Sequence, residues 1–293
     1  MVEKRVTLEN GETIYYRERT GGEKPLVLIH GNMSSSRHWK LLFDSLDPKY
    51  KLYAPDLRGF GQSTYHNKIS SLTDFANDVK QFVDAIGLAN FSIIGWSLGG
   101  GVAMRFTIDY PDYIEKMVLL ASISTRGYPI FSMNEDGTFN VKKRLKTLIE
   151  IETDYRTKWM QQLYETNNRK ELKKVLNSLI FNVNHPDEAT YEEAIEDMIR
   201  QRNLAEANHA INIFNISNHF NGTFSGTDEA KLINVPVLNI YGDQDRTVTK
   251  RMINEIDADL SHCVTTVELK NCGHAPAVDD LPTLLHELEK FLQ

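Results

Sequence analysis

The sequence predicts an α/β protein in which a mostly parallel sheet is covered by helices on both faces. Short apolar segments rich in β-formers alternate with amphipathic helical segments over residues 1–124, which is the pattern of parallel strands joined by crossover helices. Roughly a hundred helical, Lys- and Glu-rich residues follow, 125–230, with no clear strand. The alternation then resumes within residues 231–293. We therefore expect one core domain, 1–124 and 231–293, that carries a helical insert.

The first part of the chain is predicted to form a hairpin, two buried strands and a helix. Residues 4–17 contain an Asn-Gly pair between two β-rich segments, which is typical of a tight hairpin turn. Residues 26–31 and 50–61 each begin with an apolar run and end in glycine and polar residues, as buried strands do. From Ser71, a good N-cap, to Gly87 the apolar residues recur at helical spacing, so this segment is predicted to be an amphipathic helix.

The remaining core segments continue the alternation. They are a strand at 91–95, a helix at 98–109, and strands at 116–122, 235–245 and 265–274, followed by a terminal helix at 281–292. A separate C-terminal domain would be left with only the last two of these strands. We therefore interpret the helical residues 125–230 as an insert within one α/β domain.

Composition excludes several classes of function. The net charge is −7 and no basic stripe occurs, so no nucleic-acid partner is expected. The N-terminus, MVEKRVTLEN, is charged where a signal peptide is apolar, and no segment reaches the apolar length of a membrane span. We expect a cytoplasmic protein, a monomer or homodimer, with no membrane span. Cys263 and Cys272 are expected to be reduced thiols, with a single bridge between them as the alternative.

A candidate nucleophile lies between the strand at 91–95 and the helix at 98–109. Gly95-Trp96-Ser97-Leu98-Gly99 satisfies the pattern G-x-S-x-G in the strand–turn–helix context of a nucleophile elbow. Such a turn is strained, and a residue with a side chain two positions away on either side would collide with the sheet or the helix. Ser97 is therefore predicted to expose its hydroxyl at the carboxyl edge of the sheet, beside a helix N-terminus.

A serine hydroxyl needs a histidine base, and His274 is the candidate among nine histidines. It follows the last predicted strand and precedes the final helix, at the same edge of the sheet as Ser97. His30, beside Gly31, is interpreted as a buried structural imidazole. The other histidines are expected to be solvated or hydrogen-bonded: His38, His66, His185, His209, His219, His262 and His286.

The carboxylate that orients the histidine is expected after the strand VPVLNIY, where YGDQD offers Asp243 and Asp245. We prefer Asp245, and interpret Asp243 as a solvated or turn-forming residue. The resulting order along the chain is serine, acid, histidine, which differs from the orders of the two common serine-protease families.

Five segments together resemble the α/β-hydrolase fold superfamily, in particular its esterases, lactonases and cofactor-free haloperoxidases. They are HGNMSSSRHW, PDLRGFGQS, GWSLGGG, YGDQDRTV and CGHAP. The resemblance implies a mostly parallel sheet of eight strands, a cap domain at 125–230 inserted after the sixth strand, and Asp245 as the acid. It also implies that Asp56 and Arg58 brace the fold. One departure is small: Asp279, Asp280 and Pro282 stand where the family often has glutamate and proline closer to the histidine.

The predicted reaction is hydrolysis of a carboxylic ester or lactone of a small, largely apolar substrate through an acyl-enzyme. The backbone amides of Asn32 and Leu98 are expected to form the oxyanion hole. No metal or cofactor is required, and no His-x-His-x-Asp cluster occurs. HGNMSSS and GWSLGG are also similar to acyl-homoserine lactone hydrolases. The sequence is compatible as well with a cofactor-free haloperoxidase or perhydrolase, and with a hydrolase-fold receptor that turns over its ligand slowly.

Large apolar residues near Ser97 or in the insert are candidates for an acyl pocket. Their alternative interpretation is packing within the insert. They are Trp96, Met33, Phe131, Trp159 and Phe214.

Overall fold

The computed structural model describes residues 1–293 and contains ten β-strands. Eight of them form one sheet in the order β1-β2-β4-β3-β5-β6-β9-β10, in which β2 is antiparallel to β1 and β4 and all other neighbours are parallel. The predicted fold class is confirmed. The strands are β1 Val2–Thr7, β2 Thr13–Arg19, β3 Lys24–Ile29, β4 Tyr50–Pro55, β5 Phe91–Trp96, β6 Ile114–Leu120, β7 Phe131–Met133, β8 Phe139–Arg144, β9 Val237–Gly242 and β10 Val264–Leu269.

Eleven α-helices accompany the strands. Those of the core are α1 Lys40–Ser45, α2 Leu72–Ala85, α3 Leu98–Asp109, α9 Lys250–Asp259, α10 Pro276–Asp279 and α11 Leu281–Phe291. Those of the insert are α4 Leu148–Thr153, α5 Tyr155–Glu165, α6 Arg169–Leu179, α7 Glu188–Arg200 and α8 Leu204–Ile213.

Local sequence signals place the predicted elements close to their observed bounds. The Asn-Gly turn joins β1 and β2, with Gly11 at a φ of 83°. Helix α2 begins with a capping box, in which Ser71 and Asp74 bond each other's backbone amides. It ends before Gly87, whose φ of 67° is left-handed.

The sheet separates two hydrophobic clusters because successive side chains of a strand point to opposite faces. On β3, Val27 and Ile29 belong to one cluster and Leu26 and Leu28 to the other. Every residue of β5 is buried, as expected for a central parallel strand. This strand carries Ser97 at its carboxyl end.

The insert differs from the prediction in one respect. Besides its five helices it contains the antiparallel hairpin β7–β8, in which Met133 pairs with Phe139. The expectation of no strand was therefore wrong. Strand β8 is mostly exposed and rich in lysine, so it lacks the buried apolar alternation that identifies strands in a sequence. Insert residues take part in both core clusters, Phe214 in one and Leu163 in the other, so the insert packs directly on the core.

No helix of the protein combines the length and the apolar character that crossing a membrane requires.

Both cysteines are free, and burial raises the pKa of Cys263 to about 11 and that of Cys272 to about 12. No three His, Cys, Asp or Glu side chains are grouped so that they could hold a metal ion.

Candidate active site

Ser97 occupies a strained turn between β5 and α3. Its φ of 55° and ψ of −119° lie outside the regions that residues with side chains ordinarily adopt. Two glycines make the turn possible: a Cβ on Gly95 would lie 2.3 Å from the carbonyl oxygen of Gly99, and one on Gly99 would lie 2.2 Å from that of Ile29. The close approach of these backbones explains the spacing of the motif.

His274 and Asp245 form a buried pair at the carboxyl ends of β10 and β9. His274 Nδ1 lies 2.8 Å from Asp245 Oδ2, and each side chain is 1% exposed. The other carboxylate oxygen accepts the backbone amides of Thr247 at 2.7 Å and Val248 at 2.9 Å. With its oxygens held in this way, Asp245 fixes the proton on Nδ1 and leaves Nε2 of the imidazole as a free base.

Asp243, the alternative acid, is exposed and points elsewhere. Its carboxylate accepts the backbone amide of Cys272 at 3.2 Å, which joins the β9 loop to the His274 loop. A second brace comes from Asp279, whose carboxylate accepts the backbone amide of Gly273 at 2.8 Å. The structure thus brings Asp245, rather than Asp243, against His274.

Ser97 and His274 line the same small cavity, of about 50 Å³, beneath the insert. The side chain of Ser97 makes no capping hydrogen bond to α3, so the hydroxyl is not held by its own helix. Asn32 and Leu98 line this cavity as well. The residues predicted as nucleophile, base and oxyanion hole therefore border one cavity.

The backbone amides of Asn32 and Leu98 have no acceptor within the protein. Leu98 is the first residue of α3, so its amide points out of the helix N-terminus. The side chain of Asn32 is held by the insert: Nδ2 donates to Asn208 at 3.0 Å, and Oδ1 accepts from Gln201 at 2.8 Å. Gly31 keeps this loop close to the elbow, because a Cβ there would lie 2.7 Å from the Trp96 ring.

His30 braces the same loop, in agreement with its interpretation as a structural residue. Its Nδ1 lies 2.8 Å from the carbonyl oxygen of Gly31, and its Nε2 accepts the backbone amide of Leu57 at 2.9 Å. Burial lowers the pKa of His30 and keeps the ring neutral. Asp56 and Arg58 are also structural: Asp56 accepts two backbone amides, and Arg58 pairs with the buried Asp78.

His38 occupies a position that was not predicted from the sequence. Its ring stacks on Trp96 with centroids 3.7 Å apart, and the Trp96 indole donates to the carbonyl oxygen of His274 at 2.8 Å. Burial, together with the neighbouring His274 and His30, lowers the pKa of His38 to about 3, so the ring is neutral at physiological pH. The sequence predicts a solvated or hydrogen-bonded His38; in the structure the side chain is half-buried and its ring is held by the stack on Trp96.

Two larger cavities adjoin the one at Ser97, and Asn32 and Met33 line all three. One, of about 250 Å³, is bounded by Trp159 together with methionine and leucine side chains of the insert. The other, of about 450 Å³, extends past His38 and one edge of Trp96. Three of the five predicted pocket residues thus border this space, although Trp96 is only 2% exposed beneath the His274 loop.

The other two predicted pocket residues lie elsewhere, which corrects the expectation for them. Phe131 pairs with Arg144 in the hairpin and lines a separate groove, of about 820 Å³, that is rich in lysine and arginine. Phe214 caps the end of α8 and is buried in the core cluster, with its carbonyl oxygen against Gly127. Its alternative interpretation, packing, describes its position.

A parallel sheet that presents a serine elbow at its carboxyl edge, with histidine and acid on later loops, is the arrangement of α/β hydrolases. The sequence agrees: the model of the alpha/beta hydrolase fold family matches residues 24–281, and the chain belongs to that family.

Known proteins give three further comparisons. Pimeloyl-[acyl-carrier protein] methyl ester esterase of Aliivibrio salmonicida is 24% identical over 290 residues, which cover 96% of this chain and 97% of that protein. An esterase from Exiguobacterium antarcticum superposes with a TM-score of 0.76 at 16% identity, covering 99% of both chains. The enol-lactonase of Burkholderia xenovorans superposes with a TM-score of 0.72 at 18% identity, also over 99% of both. At these identities the two structures show the shared fold.

Other relatives are matched only in part. The chain spans 31% of the length of an uncharacterized protein of Mycobacterium tuberculosis, to which it is 32% identical over 105 residues.

Proposed function

We propose that this protein is a serine hydrolase of carboxylic esters, with Ser97 as nucleophile, His274 as general base and Asp245 as the orienting acid. The observation that carries the proposal is the buried His274–Asp245 pair, 2.8 Å apart, which adjoins the cavity that Ser97 and His274 both line. Several full-length relatives are esterases, which supports the ester as the substrate class.

In the proposed mechanism, Nε2 of His274 takes the proton of the Ser97 hydroxyl as its oxygen attacks the ester carbonyl. The oxyanion accepts hydrogen bonds from the amides of Asn32 and Leu98, which have no other acceptor. His274 then protonates the departing alcohol. A water molecule, deprotonated by His274, releases the acid from the acyl-enzyme, and Asp245 stabilises the imidazolium throughout.

The cavity lining supports a small and largely apolar substrate. The 50 Å³ cavity is bordered by isoleucine and leucine side chains from both the core and the insert, including Ile123, Leu179, Ile180 and Ile211. Because residues 125–230 supply Leu179, Ile180 and Ile211, we propose that the insert acts as the cap that encloses the substrate. The shared fold with an enol-lactonase is consistent with a cyclic ester as substrate.

The first prediction tests the nucleophile. Ser97→Ala is expected to abolish both hydrolysis of p-nitrophenyl esters and labelling by a fluorophosphonate probe, because both reactions require the hydroxyl that His274 activates. Ser92→Ala, which removes a hydroxyl from the same strand outside the cavities, is the matched control. A Ser97→Ala protein that still hydrolyses esters at the wild-type rate would refute the mechanism. A wild-type protein that is labelled but turns over no ester or acyl-homoserine lactone would favour a receptor.

A further inference from the structure

Arg156, on α5 of the insert, lines both the 50 Å³ cavity at Ser97 and the adjoining 250 Å³ cavity. It is the only lysine, arginine, aspartate or glutamate in the lining of either cavity. A guanidinium group stays protonated at any physiological pH. A positive charge therefore lies at the junction of the two cavities, whose other lining side chains are apolar or carry hydroxyl, amide or imidazole groups.

No carboxylate lies within salt-bridge distance of Arg156. Its guanidinium lies over the ring of Phe139, at 5.6 Å from the centroid. Asp154, two residues earlier, uses its carboxylate to accept the backbone amides of Arg156 and Met133. Other partly buried arginines have acceptors: Arg58 pairs with Asp78, and Arg144, which has no carboxylate partner, donates to oxygens of Asn212 and Asn221. The guanidinium of Arg156, in contrast, donates no hydrogen bond within the protein.

Uncharged donors face the same space. Asn208 lines both cavities. Its Oδ1 accepts a hydrogen bond from Asn32 Nδ2, and its own NH₂ group has no acceptor within the protein. The phenol of Tyr128 also lines the cavity at Ser97. Burial raises the pKa of Tyr128 and keeps it a neutral donor, while the charge of Arg156 acts in the opposite direction. Donors without acceptors thus line the same space as one cation.

We propose that Arg156 and Asn208 form a subsite for a carboxylate carried by the ester substrate. This inference rests on the proposed ester hydrolysis and specifies its substrate class. A guanidinium group binds a carboxylate through two parallel hydrogen bonds, which are strong because both groups are charged. One cation with neutral donors matches a monoanion; a dianionic phosphate would leave an uncompensated charge in the enclosed cavity. A neutral ester, in contrast, would cover the guanidinium group without giving it a partner.

The test compares substrates with and without the carboxylate. The first pair is the mono-p-nitrophenyl ester of glutaric acid and p-nitrophenyl pentanoate, which place or omit a carboxylate on the acyl side. The second pair is 4-acetoxybenzoate and its methyl ester, which do so on the alcohol side. The wild-type protein is expected to favour the carboxylate member of one pair in kcat/KM, and the pair concerned identifies the side on which the subsite lies.

Arg156→Gln is expected to lower that preference about 10- to 100-fold, mainly through KM, because it removes a charge-assisted hydrogen-bonded pair. Arg156→Lys is expected to retain part of it. Lys158→Gln removes one charge from the exposed side of the same helix and is expected to leave the preference unchanged.

Two results would overturn the subsite: no preference for a carboxylate in either pair, or an equal loss on both members of a pair in Arg156→Gln. Both results are distinct from failure of the proposed function. If only the subsite is wrong, the neutral esters are still hydrolysed in a Ser97-dependent manner. If the proposed function is wrong, no ester is hydrolysed in a Ser97-dependent manner, whether or not the fluorophosphonate probe labels Ser97.

Discussion

The carboxylate of Asp245 is held on three sides, by His274 and by the amides of Thr247 and Val248. This arrangement keeps the carboxylate in place whether or not substrate is present. Because the amides occupy one oxygen, the other can serve only the imidazole. The orientation of Asp245, the proposed acid, therefore depends on a local turn rather than on the substrate.

The second prediction concerns this residue. Asp245→Asn is expected to lower kcat by about 10³- to 10⁴-fold, because an amide favours the wrong tautomer of His274. Asp243→Asn, which changes the neighbouring exposed carboxylate, is expected to stay within a few-fold of the wild type. The measurement is kcat for a p-nitrophenyl ester, with circular dichroism to establish that both variants fold. Equal losses in the two variants would argue against the assignment of the acid.

At the scale of elements, the elbow depends on how closely β3, β5 and α3 approach one another. Gly99 permits α3 to begin directly above the carbonyl of Ile29, at the end of β3. The strain at Ser97 is sustained by this packing, because the surrounding backbone leaves the serine no other conformation.

The third prediction separates the steric cost of an added Cβ from the conformational cost of a side chain at positive φ. Gly99→Ala is expected to destabilise the fold by about 3 kcal/mol or more, since its Cβ would meet backbone that cannot move aside. Gly137→Ala, at a φ of 82° with no atom within 4 Å of the added Cβ, should cost only about 1–2 kcal/mol. Urea unfolding of the two variants gives the comparison. A smaller loss in Gly99→Ala than in Gly137→Ala would show that the elbow backbone can shift.

Elements also differ in how far the sequence predicted them. Helix α2 and strands β3 to β6 carry their signals locally, in capping residues and buried apolar runs. The hairpin β7–β8 does not, since Phe139 and Val141 are exposed and lysines follow them. It forms through pairing of its own two strands around a turn with Gly137.

The residues of the site also differ in how far the sequence predicted them. Ser97 and His274 follow strands, and the motif around each places it at the sheet edge. Spacing alone could not distinguish Asp243 from Asp245, because both follow β9. In the structure, hydrogen bonds from the backbone amides of Thr247 and Val248 orient Asp245 toward His274. Arg156 and His38 could not be found from the sequence, since their positions depend on how the insert and the loop after β3 pack on the core. For the same reason the sequence could not decide between pocket and packing for Phe131 and Phe214, neither of which borders the cavities at Ser97.

At the scale of the whole molecule, the insert is joined to the core by a buried carboxylate. Asp197, on α7, accepts the hydroxyl of Ser35 at 2.6 Å and lies 3.2 Å from the guanidinium of Arg37. Burial raises the pKa of Asp197 to about 7, and the negative charge of Asp56 acts in the same direction. The hydrogen bond from Ser35 and the positive charges of Arg37 and Arg17 lower this pKa, but they do not cancel the effect of burial. The contact therefore changes its charge near neutral pH.

The fourth prediction follows from this pKa. In the unfolded chain an aspartate ionises near pH 4, so between about pH 4 and 7 the folded protein holds a proton that the unfolded chain releases. The protonated carboxyl of Asp197 therefore contributes fully to the free energy of unfolding below about pH 4. This contribution is lost as the pH rises to about 7, at up to about 1.4 kcal/mol per pH unit. Asp197→Asn should remove this slope, and Asp44→Asn, at an exposed position, should retain it. The measurement is the urea unfolding midpoint of each protein at about pH 5 and 7.5. An equal change in midpoint between these pH values for wild type and Asp197→Asn would contradict the prediction.

The contacts of Trp96 with His38 and His274 have an optical consequence. The Trp96 ring lies 5.2 Å from the imidazole of His274 and is one of three tryptophans in the chain. A protonated imidazole quenches a nearby excited indole, whereas His38 stays neutral and silent. Once Trp39 and Trp159 are replaced by phenylalanine, the emission of Trp96 reports the protonation of His274 directly. The protein thus contains an intrinsic fluorophore that can follow the protonation state of His274, the proposed base, without any substrate.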